Sequence, residues 1–420
     1  MKVSIKSISS YTFWLSFLSG IPILFGLVPF QSLNISIIPA GILLLKSNKV
    51  FPKDCVIALC LLLSYFLTWL FFSDLYTIKT LFEFSTVILT FVALRSSKFF
   101  PSGKGIIIYL VASIIIGLLQ LTYLDFGFGG TRGIPLLASE PSRYARFFAV
   151  LILPIFIHWN YLKSKIGITF LILIFSYIII LNRSASLIVP FLVIAIAIIL
   201  LSINYLKRFF KTFKINKNLL ILYTSTSLVL TLCISYFANN YRITSFLMSF
   251  IKSIFINGNL IGFLKYFGGK RISTVFYSFG NGIKTIIPNG IDSAKDILNY
   301  ENLTNSFIGL SSYHTKRLDI QGTFESASFF SHYVLDAGLI AFLLSIYFTF
   351  EILKLMKQSY WGLIFKQETL LPIKIESALR ISTSFMGLIL LWFYSTNSFI
   401  QPWLMIAIGL MPCYKNLNKK

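Results

Sequence analysis

Charge is scarce in this sequence. Of its 420 residues, 12% are Asp, Glu, Lys or Arg, against 56% hydrophobic. A water-soluble chain of this size carries about twice that share of charge, so a soluble globule is excluded. Histidine occurs three times, at 158, 314 and 332. The four cysteines (Cys55, Cys60, Cys233 and Cys413) all fall in or beside apolar runs. No CxxC, HExxH, P-loop or GxGxxG pattern is present. A disulfide framework, a metal cluster and a nucleotide fold therefore have no footing here, and neither metal nor cofactor is expected. Internal repeats and low-complexity tracts are also lacking.

What is present is a succession of apolar runs. Each is long enough as a helix to cross about 30 Å of hydrocarbon, or nearly so. The chain reads as an all-α, polytopic integral membrane protein, one transmembrane domain over residues 1–420. The expected spans are about twelve, at 11–29, 34–45, 55–72, 77–94, 105–124, 144–161, 167–181, 186–203, 219–237, 333–350, 377–394 and 398–413. The N-terminal stretch lacks a small-residue cleavage site and reads as an anchored first helix.

The net charge of +23 would suggest nucleic acid in a soluble protein. In a membrane protein it is first a topology signal, because Lys and Arg collect in cytoplasmic loops. With twelve spans, lysines such as Lys46, Lys98, Lys163, Lys211, Lys357 and Lys415 fall on one side, together with both termini. The opposite short loops hold almost none, Lys79 excepted. The termini are thus expected in the cytoplasm, and residues 238–332 form one large periplasmic loop before the last three spans. Within it, ITSFLMSFIKSIF (243–255) has apolar residues at helical spacing. It can lie along the membrane surface, or pack as a loop helix on the bundle.

Arginine breaks the topology rule. Arg132, Arg143, Arg146 and Arg183 fall at the external face, and Arg271 and Arg317 in the large loop. The guanidinium is a planar fork of donors that matches phosphate oxygens bidentately. An external arginine set is a candidate phosphate or pyrophosphate clamp; each one singly could instead pair with a headgroup or with Glu140. Arg183, in a very short turn between two spans, is expected to face an aqueous cavity. Glu140 opens a helix in EPS, where its charge suits the positive dipole end. A capping role and a catalytic role are both open to it. His332 and Asp336, four residues apart, share one helical face. A carboxylate beside an imidazole fixes its tautomer and raises its basicity, which suits a general base; a structural pair is the alternative.

Four stretches resemble one family. TRGIPLLASEPSRYARFF (131–148), LNRSASLIVPFL (181–192), GGKRISTVFYSFGNGIKTIIPNGI (268–291) and SHYVLDAGLIAFLL (331–344) are similar to segments of the O-antigen polymerase and O-antigen ligase superfamily. Tyr333 stands where the ligases often have Asn, and Asn182-Arg183-Ser184 reverses the commoner Ser-Arg order. The EPS turn favours the polymerases. The resemblance implies a metal-independent glycosyltransferase in the bacterial cytoplasmic (inner) membrane. Its substrate would be an undecaprenyl-pyrophosphate-linked oligosaccharide, polymerised into surface polysaccharide at the periplasmic face. A flippase and a chain-length regulator are the implied partners. Arg132, Arg143, Arg183 and Arg271 would hold pyrophosphate or glycan, His332 would be the base on the acceptor hydroxyl, and Glu140 and Asp336 its helpers. The alternatives are a ligase that transfers glycan to lipid A–core, and a flippase or other transporter of the same lipid-linked sugar.

Overall fold

The computed structural model describes residues 4–17, 32–46, 51–122, 136, 141–182, 185–211, 269–298, 303, 327–358, 371–393 and 400–411. Among these, helix is the only regular structure apart from turns. In chain order the helices are α1 (Ile5–Phe17), α2 (Ser32–Lys46), α3 (Lys53–Phe72), α4 (Ile78–Ser97), α5 (Gly103–Thr122), α6 (Pro141–Ile157), α7 (Trp159–Ile166), α8 (Ile168–Asn182), α9 (Ile188–Lys211), α10 (Gly269–Lys284), the single turn α11 (Ala294–Ile297), α12 (Phe329–Met356), α13 (Leu371–Phe393) and α14 (Ile400–Gly409).

Each expected span overlaps described helix except 219–237, which lies outside the described residues, as do residues 18–29 of the first. Five helices, α3, α4, α5, α12 and α13, are long and apolar enough to cross a membrane. A sixth results if the bent pair α6 and α7, which turns through 89°, is one span. Stretches of α2, α8, α9 and α14 are apolar but shorter. The protein is therefore an all-helical membrane protein. The expected single span 144–161 is replaced by that bend, centred on His158, whose Nε2 meets the carbonyl of Pro101 at 3.0 Å.

Charges gather at one end of the bundle. Arg95, at the C-terminal end of α4, donates from Nε to Asp54 at the start of α3 (2.8 Å). Lys53 reaches Glu351 near the end of α12 at 3.5 Å. Arg380 on α13 is fully buried and donates from Nη2 to Glu376 (2.8 Å) and from Nη1 to the carbonyls of Ile408 (3.1 Å) and Met411 (2.9 Å). These carbonyls lie at a helix C-terminus, where a cation is favoured both by hydrogen bonds and by the dipole. α13 and α14 approach closely there. A Cβ on Gly409 would lie 2.1 Å from Ser384 Oγ, and one on Gly387 2.8 Å from the Pro402 carbonyl. Lipid gives helices no hydrophobic reason to pair, so small residues and hydrogen bonds supply the contact.

The expected span 333–350 is not one straight helix. It starts four residues earlier, at Phe329, and breaks at Gly338 (φ 72°, ψ −155°). That backbone region is open essentially to glycine alone. The Phe330 ring lies 6.2 Å from the Phe348 ring. On a straight helix those residues, eighteen apart, would be separated by about 27 Å. α12 therefore folds back acutely at Gly338. Residues 329–337 descend into the bundle, where Phe329 stacks on Phe84 and meets Trp403. Length along the chain overstates the reach of α12 across a membrane; only the limb after Gly338 can span it. The buried start of the other limb is capped by Ser328, whose Oγ accepts from the Ser331 N–H while Ser331 Oγ accepts from the Ser328 N–H. This capping box satisfies donors that water cannot reach.

Candidate functional site

The fold-back leaves backbone groups at Gly338 without helical partners. Residues 285–293, TIIPNGIDS, supply them. The Leu339 N–H donates to the Thr285 carbonyl (3.0 Å), and the Asp336 carbonyl accepts from the N–H groups of Asn289 (2.9 Å) and Gly290 (3.2 Å). Asn289 Nδ2 donates to the Leu335 carbonyl at 2.7 Å. The strap can lie this close because glycines face it. A Cβ on Gly338 would be 2.7 Å from the Thr285 carbonyl oxygen, and one on Gly282 would be 2.2 Å from that of Val334. The strap also binds the α3–α4 turn: the Ile291 N–H donates to Ser73 Oγ (2.6 Å), and Thr80 Oγ1 donates to Asp292 (3.1 Å). Asp292 takes a positive φ of 64° to do so.

Asp336 lies beneath this knot, with no exposed surface. Its Oδ1 accepts from Ser293 Oγ (2.8 Å). Its Oδ2 accepts from Tyr65 Oη (2.9 Å) and, longer, from the Asp292 N–H (3.4 Å). His332 Nε2 stands 3.2 Å from the same Oδ2. If that nitrogen carries the proton, Nδ1 carries the lone pair a base needs. Tyr65 is itself fixed by stacking on Phe84, and Tyr333 is bonded to Ser64. The carboxylate is held from three directions and the imidazole has one carboxylate to align with. Such a pair can take up and pass on a proton from a fixed position.

The depth of the pair differs from the sequence expectation, which put His332 at the entry of a span. Gly338 lies thirteen residues before Glu351, or about 20 Å along the helix. Tyr65 lies twelve residues beyond Lys53, or about 18 Å along α3. The dyad thus lies about 18–20 Å along the helices from the Lys53–Glu351 pair, deep in the bundle. The fold-back causes this: it carries His332 down into the bundle.

Of the other expected site residues, Arg132, Glu140 and Arg183 lie outside the described residues. Arg271 is the third residue of α10, and its side chain is outside the description. Arg143 is half-buried in the first turn of α6. Arg146, one turn on, is fully buried, with Nε donating to the Ser142 carbonyl at 3.2 Å. Upstream, Leu136 pairs through both its N–H and its carbonyl with the Gln120 side chain at the end of α5 (3.0 and 2.9 Å). α6 packs on α9, α13, α14 and the 185–187 turn.

Sequence reasoning missed Tyr65, Ser293, Asn289 and Asp292. The glycine in DAG, inside an apolar run, and the turn pair NG in IIPNGIDS were signals of a break and of its strap. Tyr65 carries no such signal, being one aromatic among many. No residues among those described group as a metal site. No family model, curated protein or solved structure matches the chain. Fold and site define it as a helical membrane protein with a broken helix and an embedded His–Asp pair.

Proposed function

We propose that this protein is a membrane glycosyltransferase that polymerises lipid-pyrophosphate-linked oligosaccharides, with His332 as the base on the acceptor hydroxyl and Asp336 as its orienting partner. One observation carries the reading. Two of the four stretches that resemble the polymerase and ligase superfamily, 268–291 and 331–344, are stitched together around the His332–Asp336 pair. In the reaction, the acceptor hydroxyl attacks the anomeric carbon, its proton passes to His332, and the lipid pyrophosphate leaves. Negative charge grows on that pyrophosphate, and fixed arginine donors would stabilise it most in the transition state. Arg132, Arg143, Arg183 and Arg271 are the donors proposed for it. The enzyme would work in the bacterial inner membrane with both termini in the cytoplasm, alongside a flippase and a chain-length regulator.

A second reading has its own support. A broken helix with an ionisable pair within the membrane is also how transporters build a coupling site. The test separates the two. Purified protein is incubated with an undecaprenyl-pyrophosphate-linked repeat unit and chelator. The polymerase gives a ladder of regular increments, lost in His332→Ala and reduced in Asp336→Asn. No ladder from folded protein, with the lipid-linked sugar crossing vesicle membranes instead, overturns the enzyme in favour of the transporter. With neither ladder nor transport, glycan transfer to added lipid A–core would establish the ligase.

A further inference from the structure

The polarity of α10 and the strap that follows it is inverted. The face turned into the protein includes small polar residues beside Val275 and Gly282: Ser273 and Ser278 have no exposed surface and Thr274 is 1% exposed. The face turned away carries large apolar side chains and, in the last turn, the exposed Lys284, whose long stem can carry its ammonium away from hydrocarbon. Phe276 is 46% exposed, Ile283 37%, Ile286 76% and Ile287 69%. Phe276 and Ile283, seven residues apart, share one side of α10, and Ile286 and Ile287 follow in the strap just after it. A helix on the surface of a water-soluble protein, or at the edge of a hydrated loop, shows the opposite arrangement.

Depth gives the same answer from separate contacts. Phe279 packs against Phe342, four residues beyond the break in α12, and against Trp392 of α13. Thr285 bonds Leu339 at the break itself, about 18 Å along α12 from Glu351. Gly290 comes up against the Phe72 carbonyl, nineteen residues and about 29 Å beyond Lys53 on α3. The strap therefore climbs from within a 30 Å hydrocarbon layer to about its edge. The outward stripe of α10 also adjoins the outward stripe of the spanning limb of α12, Ile340 and Leu343, which are exposed as well.

We propose that α10 and residues 285–287 are a membrane-embedded element, and that the partner of Phe276, Ile283, Ile286 and Ile287 is the acyl-chain layer of the adjoining leaflet. The element enters beside α12, buries its serines and threonine against the protein, and presents its large apolar side chains to lipid. The strap that closes the His332–Asp336 site is thereby seated in the bilayer. The inference is independent of the reaction the site performs.

The test places single cysteines at 276, 283 and 287 in a variant with the four native cysteines replaced, reconstituted in phospholipid nanodiscs. Spin labels report accessibility to oxygen, which concentrates in hydrocarbon, and to a water-soluble nickel chelate. Leu343 on α12 is the lipid reference, and exposed Ser102 at the polar end is the water reference. The expected result is oxygen accessibility at the level of Leu343 and loss of the nickel signal seen at Ser102. Nickel accessibility like that of Ser102 overturns the proposal, and so does shielding from both reagents, which would mean that protein covers the stripe. Should the cysteine-free variant not fold, wild-type protein in nanodiscs carrying a phospholipid with a photoreactive acyl chain gives the same decision. Labelling on 276–287 supports the element's place in the leaflet, and labelling on α12 without it contradicts that place.

Discussion

Two parts of this molecule bury charge, and they do it differently. At the polar end, Asp54 meets Arg95, Glu376 meets Arg380 and Glu351 meets Lys53, each carboxylate against a fixed cation. At the strap end, Asp336 meets two hydroxyls, a backbone N–H and a histidine. Arginine stays protonated at every pH a protein survives, so the first arrangement has one charge state and serves cohesion. The second sets its carboxylate against hydroxyls, a backbone N–H and a histidine, the side chain proposed here as the base. The backbone follows the same division. The helices that carry the arginine pairs run unbroken through them, while the helix that carries Asp336 is folded back two residues later.

The comparison can be broken at either end. The largest effect is expected from Arg380→Ala. It removes the guanidinium from Glu376 and from the Ile408 and Met411 carbonyls, and losing one partner of a buried pair costs about 3–5 kcal/mol. Unfolding in detergent should show it, with substantial recovery in Arg380→Met/Glu376→Leu, where no buried charge remains. Next comes Gly338→Ala. Its backbone strain alone costs about 1–3 kcal/mol, and the new Cβ would press on the Thr285 carbonyl at 2.7 Å. That variant should lose both stability and the protection of strap amides from hydrogen exchange; unchanged protection would mean that the strap does not close the break. Tyr65→Phe keeps the ring stacked on Phe84 and removes one hydrogen bond to a carboxylate, for about 1.5 kcal/mol. It should lower turnover by more than that stability loss explains, because it loosens the partner of His332. Equal small losses in both would assign Tyr65 to packing alone. The smallest effect is expected from Lys53→Ala, because the ammonium is more than half exposed and screened by water. A large loss there would erase the contrast drawn between the ends.

The helices were legible because their signal is repeated over many residues. Runs such as KDCVIALCLLLSYFLTWLFF in α3 and its neighbours announce themselves by apolar length and by charge at their ends. The His332–Asp336 pair was legible because both residues sit on one turn, and local spacing is written in the sequence. The fold-back was not. Gly338 lies in an apolar run that continues for many residues beyond it, and what bends the chain there is a strap almost fifty residues earlier. Tyr65 lies still farther away, on another helix. The bend at His158 was hidden for a similar reason, since the apolar character of 144–161 runs straight through it.

The account turns on the fold-back, because that is what brings the strap onto Asp336 and His332 into the bundle. Cysteines placed at 330 and 348 test it directly, with a short, rigid, membrane-permeant bismaleimide and mass spectrometry of the linked peptide. The folded-back helix predicts an intramolecular link in native protein that disappears after unfolding. Single labelling at both positions with no link between them would mean a straight α12, and would contradict the site as described.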